Sequence, residues 1–375
     1  MSGRTQDYTL GVEEEYQILG TESRELLAQG GHAVQQRAQR ATMGEEVVPE
    51  LLTSQVEAVS PICRTLEEVR AELLRLRQEV SKAAAKEGAR IAAASTHPFS
   101  DWRDQRITPK DRYKGILENY QRLAREQAAF GFHVHVGLAD REAAIQVVNR
   151  LRLWLAPMLA LSANSPFWLG EDSGYASFRT QVWGRMPVSG PPGTFESLDE
   201  HDALVEALVA SGAVADSTKI YWDARLPEDL DTIEIRVMDM CATVDEAVMM
   251  AGLARALVST CHEQAEREEP YPRPRLELLR ATHWLASRHG LDAKLFDVQN
   301  ERAIPAWEVI EKLLNFTRPA LEESGDWEEV SARVRDTLAH GNGATRQRRA
   351  YEKAGRLQDV VDMLIEETAQ GTDPA

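Results

Sequence analysis

Residues 9–19 read TLGVEEEYQIL, an apolar run interrupted by three acids and otherwise patterned as a buried strand. Side chains alternate along a strand, so Glu13 and Glu15 share a face with Gly11 and Gln17, and Glu14 faces away with Val12 and Tyr16. The same alternation recurs at three later places. In a strand region at 45–62, closed by Pro61, Gln55, Glu57 and Val59 fall on one face. In FGFHVHVGL, at 130–138, His133 and His135 share a face. In DTIEIRVMDM, at 231–240, Glu234, Arg236 and Met238 oppose Ile233, Ile235 and Val237. Residues 90–95 and 219–223 add shorter strands.

Between the strands the period changes to that of a helix. Thr65 opens the clearest case, with Leu66, Val69, Leu73, Leu76 and Val80 on one stripe, acids in the first turn and Gly88 at the end. Further helices are expected at 112–128, 141–162, 199–211 and 243–268, and over almost everything from Leu276 on, after YPRPR breaks the pattern. The stretch from 163 to 193, rich in Gly, Ser and Pro, reads as a long functional loop carrying Arg179 and Arg185. THPFS, at 96–100, reads as a loop with a solvated His97. No linker or repeat divides the chain, so residues 1–375 are expected to form a single catalytic domain with QGTDPA as a frayed tail.

Composition narrows the class. Of 375 residues, 43% are hydrophobic and eight are Trp, which supports a sizeable globular core. The net charge of −17 argues against nucleic acid and anionic membranes, while leaving small anions open wherever cations line a cleft. Three scattered cysteines, Cys63, Cys241 and Cys261, lack metal-ligand spacing and suit a reducing cytoplasm. There is no apolar run of about 20 residues that could span a bilayer.

Each charged strand residue has a bland account. The acids could face water from an edge strand, a lone histidine could be a hydrogen-bonded core residue, and Glu234 with Arg236 could simply pair. Collected onto one sheet face, however, Glu13, Glu15, Glu57, His133, His135, Glu234 and Arg236 form an oxygen-rich floor suited to Mg²⁺ or Mn²⁺, with a guanidinium beside it for phosphate. There is no GxxxxGK[ST] loop, and GNGATRQRR reads by itself as a helix start. A metal-dependent hydrolase and a non-catalytic nucleotide-binding relative of a ligase are the alternative readings.

Six motifs taken in order, TLGVEEEY, SQVEAVSP, GFHVHVGL, LSANSPFWLGEDSGYASFRT, TIEIRVMD and GNGATRQR, resemble the carboxylate-amine ligases of the glutamate-cysteine ligase type 2 family; ASTHPF stands where that family's pattern is GTHPF. The resemblance implies an α+β fold like the glutamine synthetase catalytic domain, a curved, mainly antiparallel sheet forming a funnel with helices outside. It implies ATP as cosubstrate, an acyl phosphate attacked by an amine, small amino acid and amine substrates, and a homodimer. Carried onto this chain, it makes Glu13, Glu15, Glu50, Glu57, His133, His135 and Glu234 metal ligands, with His135 alternatively orienting a carboxylate. Glu50 qualifies only if the chain bends after Pro49, because seven residues separate it from Glu57. Glu234 and Arg236 become the catalytic pair, Arg236, Arg346 and Arg348 nucleotide contacts, and Arg179, Arg185 and Arg225 candidates for the substrate carboxylate. Glu14 faces away, so Glu14→Gln is expected to leave activity largely intact, whereas Glu13→Gln and Glu15→Gln are expected to remove it.

Overall fold

The computed structural model describes residues 8–42 and 46–372. The beginning of the 45–62 strand region and the last residues of QGTDPA lie outside them. Seven strands form one sheet: β1 (Leu10–Gly20), β2 (Val47–Pro49), β3 (Gln55–Val59), β4 (Ala89–Ala92), β5 (Phe132–Gly137), β6 (Ala224–Arg225) and β7 (Thr232–Ile235). Their order is β6-β7-β5-β1-β3-β2, and every pairing is antiparallel. β4 pairs with the far end of β1, at Gln17–Gly20, on the edge whose near end takes β5. The eleven-residue β1 is thus the spine, and helices cover the sheet, as expected of an α+β fold.

The register follows from burial. Val12, Tyr16 and Ile18 are fully buried on the helix side of β1, so a one-residue slip would expose all three and bury their acidic neighbours instead. Against that side pack the helices Leu66–Lys86 and Val244–Glu266, each opened by a capping box, Thr65 with Glu68 and Thr243 with Glu246. Glu14 projects into the same layer. Its carboxylate meets the Arg77 guanidinium two-pronged, with Nε at 3.1 Å, and accepts the Tyr16 hydroxyl. Arg77 also donates to the carbonyls of Ala242 and Cys241. Burial alone would lower the Arg77 pKa, but the Glu14 carboxylate holds it above the ordinary arginine value. Glu14 leaves the acidic face as expected, and there it is half of a fully buried ion pair.

Other departures have local causes. The 112–128 helix stops at Tyr120, where Gln121 takes φ +49°, and the 141–162 helix divides into Arg141–Leu151 and Leu155–Ser162. The largely helical C-terminal region is interrupted by a hairpin, Lys294–Asp297 with Arg302–Pro305, too short to register as a strand pattern. At the end of the chain the helix Leu357–Thr368 packs Val360, Val361 and Leu364 beside β4, and the Thr368 hydroxyl accepts the Ala93 N–H at 2.8 Å. Among the described residues no helix is long and apolar enough to cross a membrane.

His97 is not solvated. It is 1% exposed, its Nδ1 accepts the N–H groups of Phe99 and Ser100 at 3.1 and 2.8 Å, and its Nε2–H donates to the Arg24 carbonyl at 2.7 Å. Burial lowers its pKa from 6.5 to about 4. A histidine depressed on folding contributes stability that is complete above pH 6.5 and is lost as pH falls through about 4. That contribution is about 3 kcal/mol at full effect. In His97→Asn the amide oxygen can accept the same turn N–H groups without titrating. Thermal melts across this range should therefore fall less steeply in the variant, and parallel curves would refute the role.

Candidate active site

The register of β1 with its neighbours assembles the acidic face. Glu15 lies opposite Glu57 on β3, and Glu13 lies opposite His133 on β5. Glu234 lies opposite His135 from the other side of β5, and Arg225 lies opposite Glu234. Cross-strand partners point to the same face of a sheet, so five strands converge on one floor.

The floor is closely bonded. His133 Nδ1 and His135 Nε2 lie 2.8 and 3.1 Å from the two oxygens of Glu13, and His135 Nδ1 lies 3.0 Å from the Thr232 hydroxyl. Glu234 accepts Arg225 Nε at 2.6 Å on one oxygen and Arg236 on the other. Glu15 accepts Gln55 Nε2 at 2.8 Å and the Gly131 N–H at 2.6 Å. Chain break and acid coincide at Glu50: β2 ends at Pro49, the chain turns before β3, and the Glu50 charge falls close enough to raise both Glu15 and Glu57.

The electrostatics separate these acids into two kinds. Burial would raise Glu13, but hydrogen bonds from His133 and His135 carry it well below the usual carboxylate range. Glu234 is likewise raised by burial and, more strongly, lowered by Arg236 and Arg225, to about 2. Glu15 is pushed up to about 7, first by burial and then by Glu50. Glu57 is pushed up well above its ordinary value by burial and by Glu13, Glu50 and Glu15. Burial, then Arg236, lowers His133 to about 4, leaving a neutral imidazole. Acids raised by one another want a cation between them, and neutral imidazole is the form that ligates metal.

The donor set fits a metal. Glu13, His135 and Glu234 bring ligand atoms within 4.8 Å of one another, as do Glu13, Glu57 and His133. Glu13 belongs to both groups. Carboxylate oxygens with one imidazole each suit Mg²⁺ or Mn²⁺. Beside them Arg236 keeps a buried Nε with no hydrogen-bond partner among the described residues, a donor left for an anion.

The predicted arginines divide. Arg179 sits on a short helix, Phe178–Trp183, rather than in irregular loop; it is buried, donates to the Arg236 carbonyl at 3.3 Å, and its pKa is lowered by burial. Arg225 is at the floor but clamps Glu234 and two carbonyls, those of Thr218 and Ile220. Arg185 is paired with Glu126, Arg346 with Glu246 and Glu367, and Arg348 with Asp172. The structure does not bring these last three into the bonded floor. Arg346 and Arg348 lie on the helix Gly343–Ala354, whose N-cap is Asn342, so GNGATRQRR is a helix start.

Two acids were missed. Asp239 is fully buried, accepting the hydroxyls of Ser165 and Ser177 and the Asn164 N–H, and so fixes the segment that carries Arg179. Asp223 takes the Arg236 N–H on its carbonyl at 2.8 Å, which extends the β6–β7 register by one pair and sets Asp223 on the acidic face. The alternation Asp223, Arg225 in YWDAR was the available signal.

The mainly antiparallel sheet with its metal-competent carboxylates and neighbouring arginine suits an ATP-dependent ligase that forms carbon–nitrogen bonds, of the carboxylate-amine type, and the family match assigns the chain to that class. The chain belongs to glutamate-cysteine ligase family 2, whose model matches residues 9–363. The "Putative glutamate--cysteine ligase 2-2" of Frankia alni is 40% identical over 379 residues, covering 98% of each chain. The "Putative glutamate--cysteine ligase 2" of Herpetosiphon aurantiacus is 37% identical over 364 residues, covering 97% of this chain and 94% of the relative. Among solved structures, a glutamate-cysteine ligase from Francisella tularensis in complex with AMP superposes with TM-score 0.74 at 11% identity, over 97% of this chain and 89% of that one. A bifunctional glutathione synthetase from Pasteurella multocida gives 0.72 at 16%, over 97% and 52%. At these identities the structural likeness is one of fold.

Proposed function

We propose that the protein joins the side-chain carboxylate of an amino acid, glutamate first among candidates, to an amine such as that of cysteine, using ATP to make an acyl phosphate. The observation that carries this reading is Glu13 shared between two donor groups, beside an Arg236 that has a free Nε. Glu13, Glu57, Glu234, His133 and His135 would hold Mg²⁺ or Mn²⁺, with Glu15 and Glu50 at the margin. The ion would supply charge neutralisation on the nucleotide phosphates.

The residues of the chain do the rest. Arg236 is held by Glu234 through Nη1 and keeps its Nε donor unpartnered for the transferring phosphoryl group. Arg236 first and Arg225 second keep Glu234 ionised against burial. Arg179 is set to receive the substrate carboxylate with two N–H groups, a geometry that guanidinium favours. Arg346 and Arg348, expected as nucleotide contacts, would first have to leave their carboxylates. The reading includes one catalytic domain working as a homodimer in the cytoplasm; Cys63, Cys241 and Cys261, all free and buried, suit a reducing compartment.

Mass spectrometry of mixed amino acids with ATP and Mg²⁺ should reveal an amide together with ADP and phosphate; cleavage of such an amide by water without ATP would favour a hydrolase, and no product with any pair would overturn the proposal. Arg236→Lys keeps the charge but loses the fork, and should lower kcat about 10²-fold or more with little change in melting temperature. Unchanged kcat would remove Arg236 from the chemistry.

A further inference from the structure

The motif GNGATRQRR contributes none of the bonds of the floor, and its Arg346 and Arg348 are held by carboxylates elsewhere. Its helix, Gly343–Ala354, turns two other residues inward. Gln347 is 1% exposed, and its Nε2 donates to the Asn164 carbonyl at 3.1 Å and to Asn164 Oδ1 at 2.7 Å. Gly343 lies against the same side chain, so close that a Cβ on it would stand 2.2 Å from Asn164 Oδ1. The Ala344 N–H, donating to the Ala163 carbonyl at 2.9 Å, closes the seam.

Asn164 passes this contact on. Its Nδ2 donates to the carbonyls of Ala93 and Met240 at 3.1 and 2.8 Å, and its N–H donates to Asp239 Oδ2 at 2.8 Å. The same Oδ2 accepts the Ser165 hydroxyl at 2.7 Å, and Oδ1 accepts the Ser177 hydroxyl at 2.8 Å. Ser165 Oγ accepts the Arg179 N–H at 3.1 Å, and Ser177 caps the short helix that carries Arg179. The guanidinium at the end of this relay reaches the floor. It occupies the space beside Gly131, where a Cβ would lie 2.9 Å from Arg179 Nη2 and 2.7 Å from His133 Nε2.

We propose that Gln347 and Gly343 are positioning residues for the carboxylate substrate: they fix Asn164, and through Asp239 and Ser165 they hold Arg179 where its guanidinium meets that carboxylate. The proposal rests on the ligase reading and on Arg179 as the receptor of the carboxylate. Gln347, Asn164, Asp239, Ser165, Ser177 and Arg179 are all buried, so each bond removed leaves a group that water cannot satisfy and that must shift to find a partner. A displacement of about 1 Å at a group that positions substrate can cost about 10²-fold. No link of the relay passes through a metal-competent carboxylate or the Arg236 side chain, so the cost falls on the carboxylate substrate and spares ATP.

Steady-state kinetics with glutamate, cysteine and ATP test this in four variants. Gln347→Met keeps the length of the side chain and loses its donor; it should raise the KM for glutamate about fivefold or more and leave the KM for ATP within about twofold. Gly343→Ala, which presses on Asn164 from the same helix, should give the same split between the two KM values. Arg179→Lys keeps the charge and loses the fork, and should raise the KM for glutamate about tenfold or more. The double variant Gln347→Met, Arg179→Lys should stay within about twofold of Arg179→Lys alone, because a residue that acts through Arg179 has nothing left to position, whereas independent effects would multiply. A glutamate KM unchanged in both Gln347→Met and Gly343→Ala, a rise in the KM for ATP in its place, or multiplied effects in the double variant would overturn the positioning role. An unchanged glutamate KM in Arg179→Lys would overturn the role of Arg179 and the relay with it, and a wild type that releases no ADP with these substrates would overturn the glutamate reading beneath both.

Discussion

Glu13→Gln is expected to lower kcat about 10³-fold or more and to reduce the stability of the metal-free protein. Both halves of that expectation come from one geometry. Glu13 is common to the two groups able to hold a metal, so removing its charge weakens both at once, whereas a change at Glu57 or His135 touches only one. Metal-free stability falls too, because His133 and His135 hold the Glu13 carboxylate well below its usual range, a contribution that the amide loses, although Glu57, the acid raised most by the Glu13 charge after burial, is relieved in part. The amide still keeps an oxygen and an N–H for the two histidines that now face the carboxylate. Steady-state ADP release with saturating Mg²⁺, set beside thermal melts in EDTA, checks both. A variant within about tenfold of wild-type kcat would show that the shared carboxylate is not a ligand.

The neighbouring residue should behave oppositely in turnover. Glu14→Gln is expected to cost about 3–5 kcal/mol of stability, because it leaves Arg77 charged and buried with only carbonyls and a neutral amide around it. Activity per folded molecule should be near that of the wild type, since the side chain points into the helix layer and touches no residue of the floor. Chemical denaturation gives the first quantity, and kcat corrected for the folded fraction gives the second. Turnover that falls in the folded enzyme as far as it does in Glu13→Gln would refute the strand register. A Glu14→Gln, Arg77→Met double variant should recover much of the lost stability, as uncharged replacements of buried pairs do.

The parts of the fold written in strict alternation could be read directly. β1, β3, β5 and β7 carry polar side chains every second residue on one face, and their pairing placed Glu13, Glu57, His133, His135 and Glu234 together as the alternation implied. Thr65 and Thr243 likewise announced their helices. Periodicity carries no sign of which partner a charge has found, so Glu14 could be placed on its face without revealing Arg77, which lies 63 positions away. Arginines outside strands were the least legible, because a long flexible side chain reaches many partners: Arg185, Arg346 and Arg348 each ended on a carboxylate. His97 was misread because a proline-flanked loop is normally exposed, whereas this one folds inward and uses the ring to satisfy its own backbone.

The bond from Ala93 to Thr368 has a bearing on synthesis. It spans 275 residues, and the helix that makes it also supplies Val360, Val361 and Leu364 to the apolar cluster beside β4. A nascent chain still short of Leu357 therefore emerges with β1 and β4 made but one flank of the sheet bare, and must wait for its last turns before that flank is covered. Contacts so distant in sequence form late and slowly. Stalled or truncated chains should thus be recognised by chaperones and proteases through β4, well before any defect in the metal-binding floor would matter.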